Sequence, residues 1–160
     1  MKVGILVHSK TGNTLNVAEK IMQKLKTDGY TATIEQIVAA NDEETDINKI
    51  QLTSNPNISQ YDVVILGGPV RGFSLSPILQ SYLSKCESLQ GKKVKCYVTQ
   101  FFPYPWMGGS RAIVQMKSLC ESKGAEVIDT AIINMKNKNV DKMISDAVEK
   151  LSYLKSASVL

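Results

Sequence analysis

The chain has 160 residues, a length that fits one domain over 1–160, with 43% hydrophobic and 21% charged residues, ordinary for a globular protein with a proper core. Its formal net charge of +4 is uneven: residues 1–84 hold seven Lys and Arg against eight Asp and Glu, and residues 85–160 hold twelve against seven. The lysines are dispersed and not interleaved with aromatics, which argues against nucleic acid as a partner and leaves solvated helix faces or mild steering of acidic partners. No apolar run approaches the roughly 18 residues of a membrane span. Met1–Val7 reads as a strand rather than as the apolar region of a signal peptide, so the expectation is a soluble, cytoplasmic protein. Cys86, Cys96 and Cys120 lack Cys-x-x-Cys spacing and read as buried free thiols. One histidine, His8, without clustered ligands argues against a structural zinc site.

Val3 to Val7 is a continuous apolar stretch broken only by Gly4, the pattern of a parallel strand covered on both faces. A polar loop follows. Val17, Ala18, Ile21, Met22 and Leu25 then recur at helical spacing up to Asp28-Gly29. Ala32 to Ile37 alternates and suits a half-exposed strand towards a sheet edge. Residues 40–60 are the least regular: Asn41-Asp42-Glu43-Glu44 resembles a capped start of a short helix, Ser54-Asn55-Pro56-Asn57 a turn, and the whole an acidic surface segment.

Val63 to Leu66 is a second buried strand, followed at once by Gly67-Gly68-Pro69. Ser76-Pro77 predicts an N-cap with proline in the first turn of a helix whose apolar stripe is Ile78, Leu79, Tyr82, Leu83 and Cys86. Val94 to Val98 is a fourth strand. The long loop Thr99–Gly109 leads into a helix with Ala112, Ile113, Met116, Leu119 and Cys120 on one face. Val127 to Ile133 is the fifth strand, and Val140, Met143, Ile144, Ala147, Val148 and Leu151 mark the last helix.

Strands alternating with helices predict an α/β fold, a parallel sheet with helices on both faces. In such sheets a ligand sits beyond the carboxyl ends of the strands at a topological switch point. The loops there are 8–14, 38–44, 67–76, 99–110 and 134–138.

The first of them, His8-Ser9-Lys10-Thr11-Gly12-Asn13-Thr14, joins a buried strand to a helix start, whose unpaired N–H groups and partial positive charge suit a phosphate. Gly12 lets an anion approach the backbone, Ser9, Thr11 and Thr14 carry hydroxyls, and Asn13 adds an amide. A Walker loop and the Gly-x-Gly-x-x-Gly fingerprint are both absent here. A Cys-x5-Arg phosphatase loop would need a cysteine. A receiver domain would need acids after the first strand and an aspartate ending the third, where this chain has His8-Ser9 and Gly67-Gly68.

With Ser9, Thr11, Gly12, Asn13 and Thr14 in the pattern Ser/Thr-x-Thr-Gly-Asn-Thr, the chain resembles the flavodoxin family over essentially its whole length. Tyr61-Asp62 leading into a strand that ends in Gly-Gly-Pro extends the likeness. The resemblance implies a single-domain, flavodoxin-like three-layer sandwich of the short-chain type, with five parallel strands in the order 2-1-3-4-5. It also implies FMN as cofactor and electron transfer between redox partner proteins, or with a small electron donor or acceptor. The alternative on the same fold is an NAD(P)H- or quinone-dependent FMN oxidoreductase.

By the same resemblance Ser9, Lys10, Thr11, Gly12, Asn13 and Thr14 would hold the phosphate, and two further loops would flank the flavin ring. One offers Pro69, Val70, Arg71, Gly72 and Phe73, with Gly68 in place of the family's usual serine. The other offers Thr99, Gln100, Phe101, Phe102, Tyr104, Trp106, Gly108 and Gly109, with Pro103 and Pro105 between them. Its four aromatics suit either a ligand or partner, or packing against the core. The chain departs from the family in being basic and in carrying Arg71 where an aromatic is usual; near the flavin, that charge would favour the anionic reduced form. His8 reads as a strand-end spacer, since no acid lies close in sequence to orient it, and no catalytic base is assigned.

Overall fold

Apolar runs too short to be helices and covered on both faces become the strands of one sheet. The computed structural model describes residues 1–102, 104 and 106–154; Pro103 and Pro105 of the aromatic loop lie outside them. In chain order the elements are β1 (Lys2–Val7), α1 (Asn13–Thr27), β2 (Thr31–Gln36), β3 (Val38–Ala39), β4 (Leu52–Ser54), β5 (Val63–Arg71), β6 (Ser74–Leu75), α2 (Pro77–Lys85), β7 (Lys93–Gln100), α3 (Gly109–Ser122), β8 (Glu126–Asn134) and α4 (Val140–Ser152).

The five long strands pair in parallel in the order β2-β1-β5-β7-β8, the order 2-1-3-4-5 implied by the family resemblance. Alternate residues divide the core. Leu6, Val64, Leu66, Cys96 and Val98 face α2 and α3, whereas Ile5, Val7, Ile65 and Tyr97 face α1 and α4. Cys96 and Cys120 are buried and Cys86 half-buried, all as free thiols. No helix among the described residues is long and apolar enough to cross a membrane.

Three features depart from the sequence expectations. The segment at Asn41–Glu44 is a turn, not a helix. Asn41 spends its amide on the Lys49 carbonyl and the Gln51 N–H, pinning a small antiparallel pair, β3 with β4. Second, β5 does not end at Leu66 but runs on to Arg71 and folds back on β6 through a two-residue turn, Gly72–Phe73. Third, β7 hides a charge: the Lys95 ammonium is fully buried beneath α4. It pairs with Asp129 at 3.1 Å and donates to the carbonyls of Lys150 and Tyr153 at the end of that helix. Burial pushes its pKa below the usual lysine value, against the pull of Asp129.

Gly67 leaves room beside β5 for a large side chain from β7. A Cβ there would lie 2.2 Å from the Tyr97 ring, so glycine alone admits that ring between β5 and α1. The Tyr97 hydroxyl then donates to the Thr14 carbonyl at 2.7 Å, tying the first turn of α1 to the sheet. Gly67→Ala is expected to lower stability by about 1–3 kcal/mol, since a methyl overfills a packed interior. A lower urea midpoint with unchanged m-value would show it.

Candidate functional site

At the carboxyl ends of β1, β5 and β7 the chain gathers three loops that sequence distance keeps apart. The loop between β1 and α1 reverses at Gly12, whose φ of +96° is left-handed backbone. Nothing lies within 4 Å of where its side chain would be, so this corner opens to solvent. The Ser9 hydroxyl accepts from the N–H groups of Gly12 (3.1 Å) and Leu15 (3.3 Å), and the Asn13 amide donates to Thr11 Oγ1 (3.2 Å). The N–H groups of Thr11, Asn13 and Thr14 have no hydrogen-bond partner among the described residues. Unpaired donors at an open helix start form a seat for an anion.

Two side chains of this loop behave differently from the expectation. Thr14 is buried, and its hydroxyl is shared with Thr99 on β7 at 2.9 Å; only its backbone N–H remains at the helix start. Lys10 is exposed but ion-paired with Glu43, from the turn after β3.

The second loop is the hairpin β5–β6. Its turn places both Gly72 (φ 55°) and Phe73 (φ 62°) in the left-handed region, as a two-residue turn of primed type requires. For phenylalanine that conformation costs on the order of 1–3 kcal/mol. Its ring stacks on Phe102 at 4.7 Å, joining the hairpin to the third loop.

In that loop Thr99 and Gln100 are the buried end of β7 rather than open lining. The Gln100 amide donates to the carbonyls of Phe102 and Tyr104, both at 2.7 Å, and so shapes the turn that carries the aromatics. Gly108 lets the start of α3 close on the hairpin: a Cβ there would lie 2.6 Å from Val70. Phe101, Tyr104 and Trp106 stay well exposed, Trp106 at 74%, with Tyr104 and Trp106 stacked at 5.7 Å. Thus the loops holding Pro69–Phe73 and Phe101–Gly109 touch and present flat apolar rings to solvent beside the anion seat, which fits a planar ring carrying a phosphate tail. A separate cleft of about 340 Å³ between Asn55, Pro56, Tyr82 and Cys86 lies at the opposite, amino-terminal edge of the sheet.

The structure also corrects the expectation for His8. An acid does orient it: Asp42, distant in sequence, places Oδ1 2.7 Å from His8 Nε2. The other ring nitrogen, Nδ1, lies 2.8 Å from the Ser76 hydroxyl. An ionised carboxylate only accepts, so Nε2 carries the proton and Ser76 donates to Nδ1. Ser76 does start α2 as expected, yet its hydroxyl serves His8 and makes no helix-capping bond. Asp42 also binds Arg71: Oδ2 accepts from one guanidinium nitrogen and the backbone carbonyl from the other, both at 2.8 Å. The expected bare cation at Arg71 is therefore paired. The only sequence signal for this network was His8 itself, a polar residue ending a buried strand.

Burial lowers the His8 pKa below its usual value; Asp42 pulls it up, and Arg71 and Lys10 push it down again. Burial also opposes ionisation of Asp42, but the His8 hydrogen bond and the charges of His8, Arg71 and Lys10 outweigh it and hold its pKa below the usual aspartate range.

Residues 4–102 match the model of a family described as a flavodoxin domain. A comparison with curated protein sequences finds no match. Among solved structures, the two-electron reduced flavodoxin of Megasphaera elsdenii is 26% identical with a TM-score of 0.60, over 92% of this chain and 98% of its own. Oxidised flavodoxin 1 from Bacillus cereus is 20% identical with a TM-score of 0.65, over 97% and 100%. A flavodoxin, WrbA-like protein from Agrobacterium tumefaciens is 12% identical with a TM-score of 0.68, over 94% of both chains. At 20% and 12% identity the likeness is one of fold.

Because the folded His8 binds its proton less readily than the unfolded one, lowering the pH makes unfolding take up a proton. Stability tied to His8 should be complete above about pH 6.5 and be lost as the pH falls through the lower folded pKa. Denaturant midpoints measured between pH 8 and 5 should fall in wild type and flatten in His8→Asn.

Proposed function

The chain belongs to the flavodoxin domain family, whose cofactor is FMN, and from that premise we propose that it carries electrons between redox partners. The observation that carries this reading is the open corner at Gly12, where three unpaired N–H groups at the start of α1 meet the hydroxyls of Ser9 and Thr11. A phosphate accepts from such donors without a compensating cation. Bound FMN supplies the one- or two-electron chemistry that side chains lack. The protein's part is to hold and orient: Ser9, Thr11, Gly12, Asn13 and the Thr14 N–H would bind the phosphate, and Lys10 would add charge. Phe73, Phe101, Phe102, Tyr104 and Trp106 offer flat faces to the ring, and Gln100 holds the loop that bears four of them.

An electron-carrier role agrees with the placement of His8, which is buried in a closed network rather than offered to a substrate. A second reading is an FMN oxidoreductase using NAD(P)H or a quinone. Supporting it, Arg111, Lys136 and Lys138 are exposed, with no ion-pair partner among the described residues. Lys136 directly follows Met135, whose N–H donates to the Gln100 carbonyl beside the aromatic loop. That arrangement of cations and aromatics suits an anionic dinucleotide as well as an acidic protein.

FMN added to the cofactor-free chain should give a yellow complex, and Thr11→Glu should weaken it by about tenfold or more through like-charge repulsion. Fluorescence quenching of FMN measures both. Anaerobic mixing of the loaded protein with NADH or NADPH should leave it yellow until a separate reductase is added; direct bleaching would overturn the carrier reading in favour of the enzyme.

A further inference from the structure

Asp42 is the only described residue that touches both cationic or polar arms of the site, through Arg71 on the hairpin and His8 below the anion seat. Both oxygens of its carboxylate are engaged: one accepts a hydrogen bond from His8 and the other from the guanidinium, while its own backbone carbonyl accepts a second guanidinium hydrogen bond. Arg71 is thereby drawn towards the turn after β3, with its side chain only one-fifth exposed. The neutral His8, closed off by Ser76 on its far side, fixes the carboxylate from the opposite direction. The remaining charges facing the group are Lys10 and its partner Glu43, which also cancel.

Resting on the FMN reading above, we propose that Asp42 is a positioning residue that neutralises Arg71 at the cofactor rim and so sets the reduction potential of the bound flavin. The physical reason is Coulombic. Reduction adds negative charge to the cofactor, and a bare guanidinium on the ring-facing hairpin would bind the reduced form more tightly than the oxidised one. With Asp42 ionised against it, the pair presents little net charge. In this chain an arginine can therefore stand on a flavin-facing loop without imposing its full charge there. The pairing also ties the hairpin to the segment before α1, since His8 directly precedes Ser9.

Two measurements decide it. The first needs no redox chemistry. His8 is the only histidine, so its imidazole titration in the full chain is read by NMR without assignment. Asp42→Asn should lower the His8 pKa, and Arg71→Gln should raise it. If neither variant moves it, the network does not operate and the proposal falls.

The second is a redox titration of the FMN-loaded protein. Asp42→Asn should favour binding of the reduced over the oxidised cofactor by about tenfold, an upward shift of about 30 mV for a two-electron couple. Arg71→Gln should shift the potential down, and the double variant should return close to wild type. A purely structural role would move both single variants the same way, and would not be reversed in the double variant. An unchanged potential in Asp42→Asn, with FMN still bound, overturns the proposal. Should wild type bind no FMN, the cofactor reading fails and the potential with it, while the His8 titration still reports whether Asp42 couples the two loops. Asp42→Ser serves as the second variant if Asp42→Asn fails to fold.

Discussion

Strand β5 runs parallel between β1 and β7 with both faces covered, and the rest of the molecule depends on that constraint. A parallel strand cannot turn directly into its neighbour; each crossover must leave the sheet and return over one of its faces, through a helix everywhere except between β2 and β5, where the β3–β4 pair intervenes. All carboxyl ends therefore collect on one edge, and the loops that leave there meet whatever their distance along the chain. The reversal of strand order between β1 and β5, with β2 added on one side and β7 and β8 on the other, opens the crevice in which α1 begins.

Packing at that edge is tuned by missing side chains as much as by those present. Tyr97 fills the space that a Cβ on Gly67 would take, and its hydroxyl reaches the first turn of α1. Gly108 performs the same service between α3 and the hairpin, bringing Val70 against the start of the helix. The two contacts act at different distances from the anion seat: one steadies its floor and the other closes its side. The Thr14 hydroxyl buried in the process is taken up by Thr99 and the Gln100 amide nitrogen by two carbonyls of the aromatic loop, while Gln100 Oε1 is buried without a hydrogen-bond partner among the described residues.

The charges follow a similar economy. A chain with an excess of cations nevertheless surrounds its candidate site with compensated ones: Arg71 by Asp42, Lys10 by Glu43. Both acids come from one turn, so that turn acts as a counterweight to two loops at once. The unpaired cations Arg111, Lys136 and Lys138 lie on the β7–β8 side instead, where they remain free to meet an anionic partner. A basic surface and a nearly neutral cofactor rim thus coexist because the acids are placed locally rather than spread over the surface.

Much of this is legible in the sequence. Short apolar runs such as Val63–Leu66 and helical stripes such as Val17, Ala18, Ile21 and Leu25 declare their elements locally, because burial on one or both faces imposes a period on the chain. The phosphate loop was legible for the same reason, as its donors and its glycine lie within six consecutive residues. What tertiary structure decided was every relation across sequence distance. Asp42 looked like part of an acidic surface and His8 like a spacer, although 34 residues apart they form one hydrogen bond. Lys95 lies within an apolar strand pattern that says nothing of its partners, and it is the end of α4 and Asp129 that meet its ammonium. Arg71 looked like a bare charge until the Asp42 carboxylate paired it. Periodicity records which face of an element is buried; it holds no record of which distant side chain arrives to meet it, and at this site those meetings set the charge.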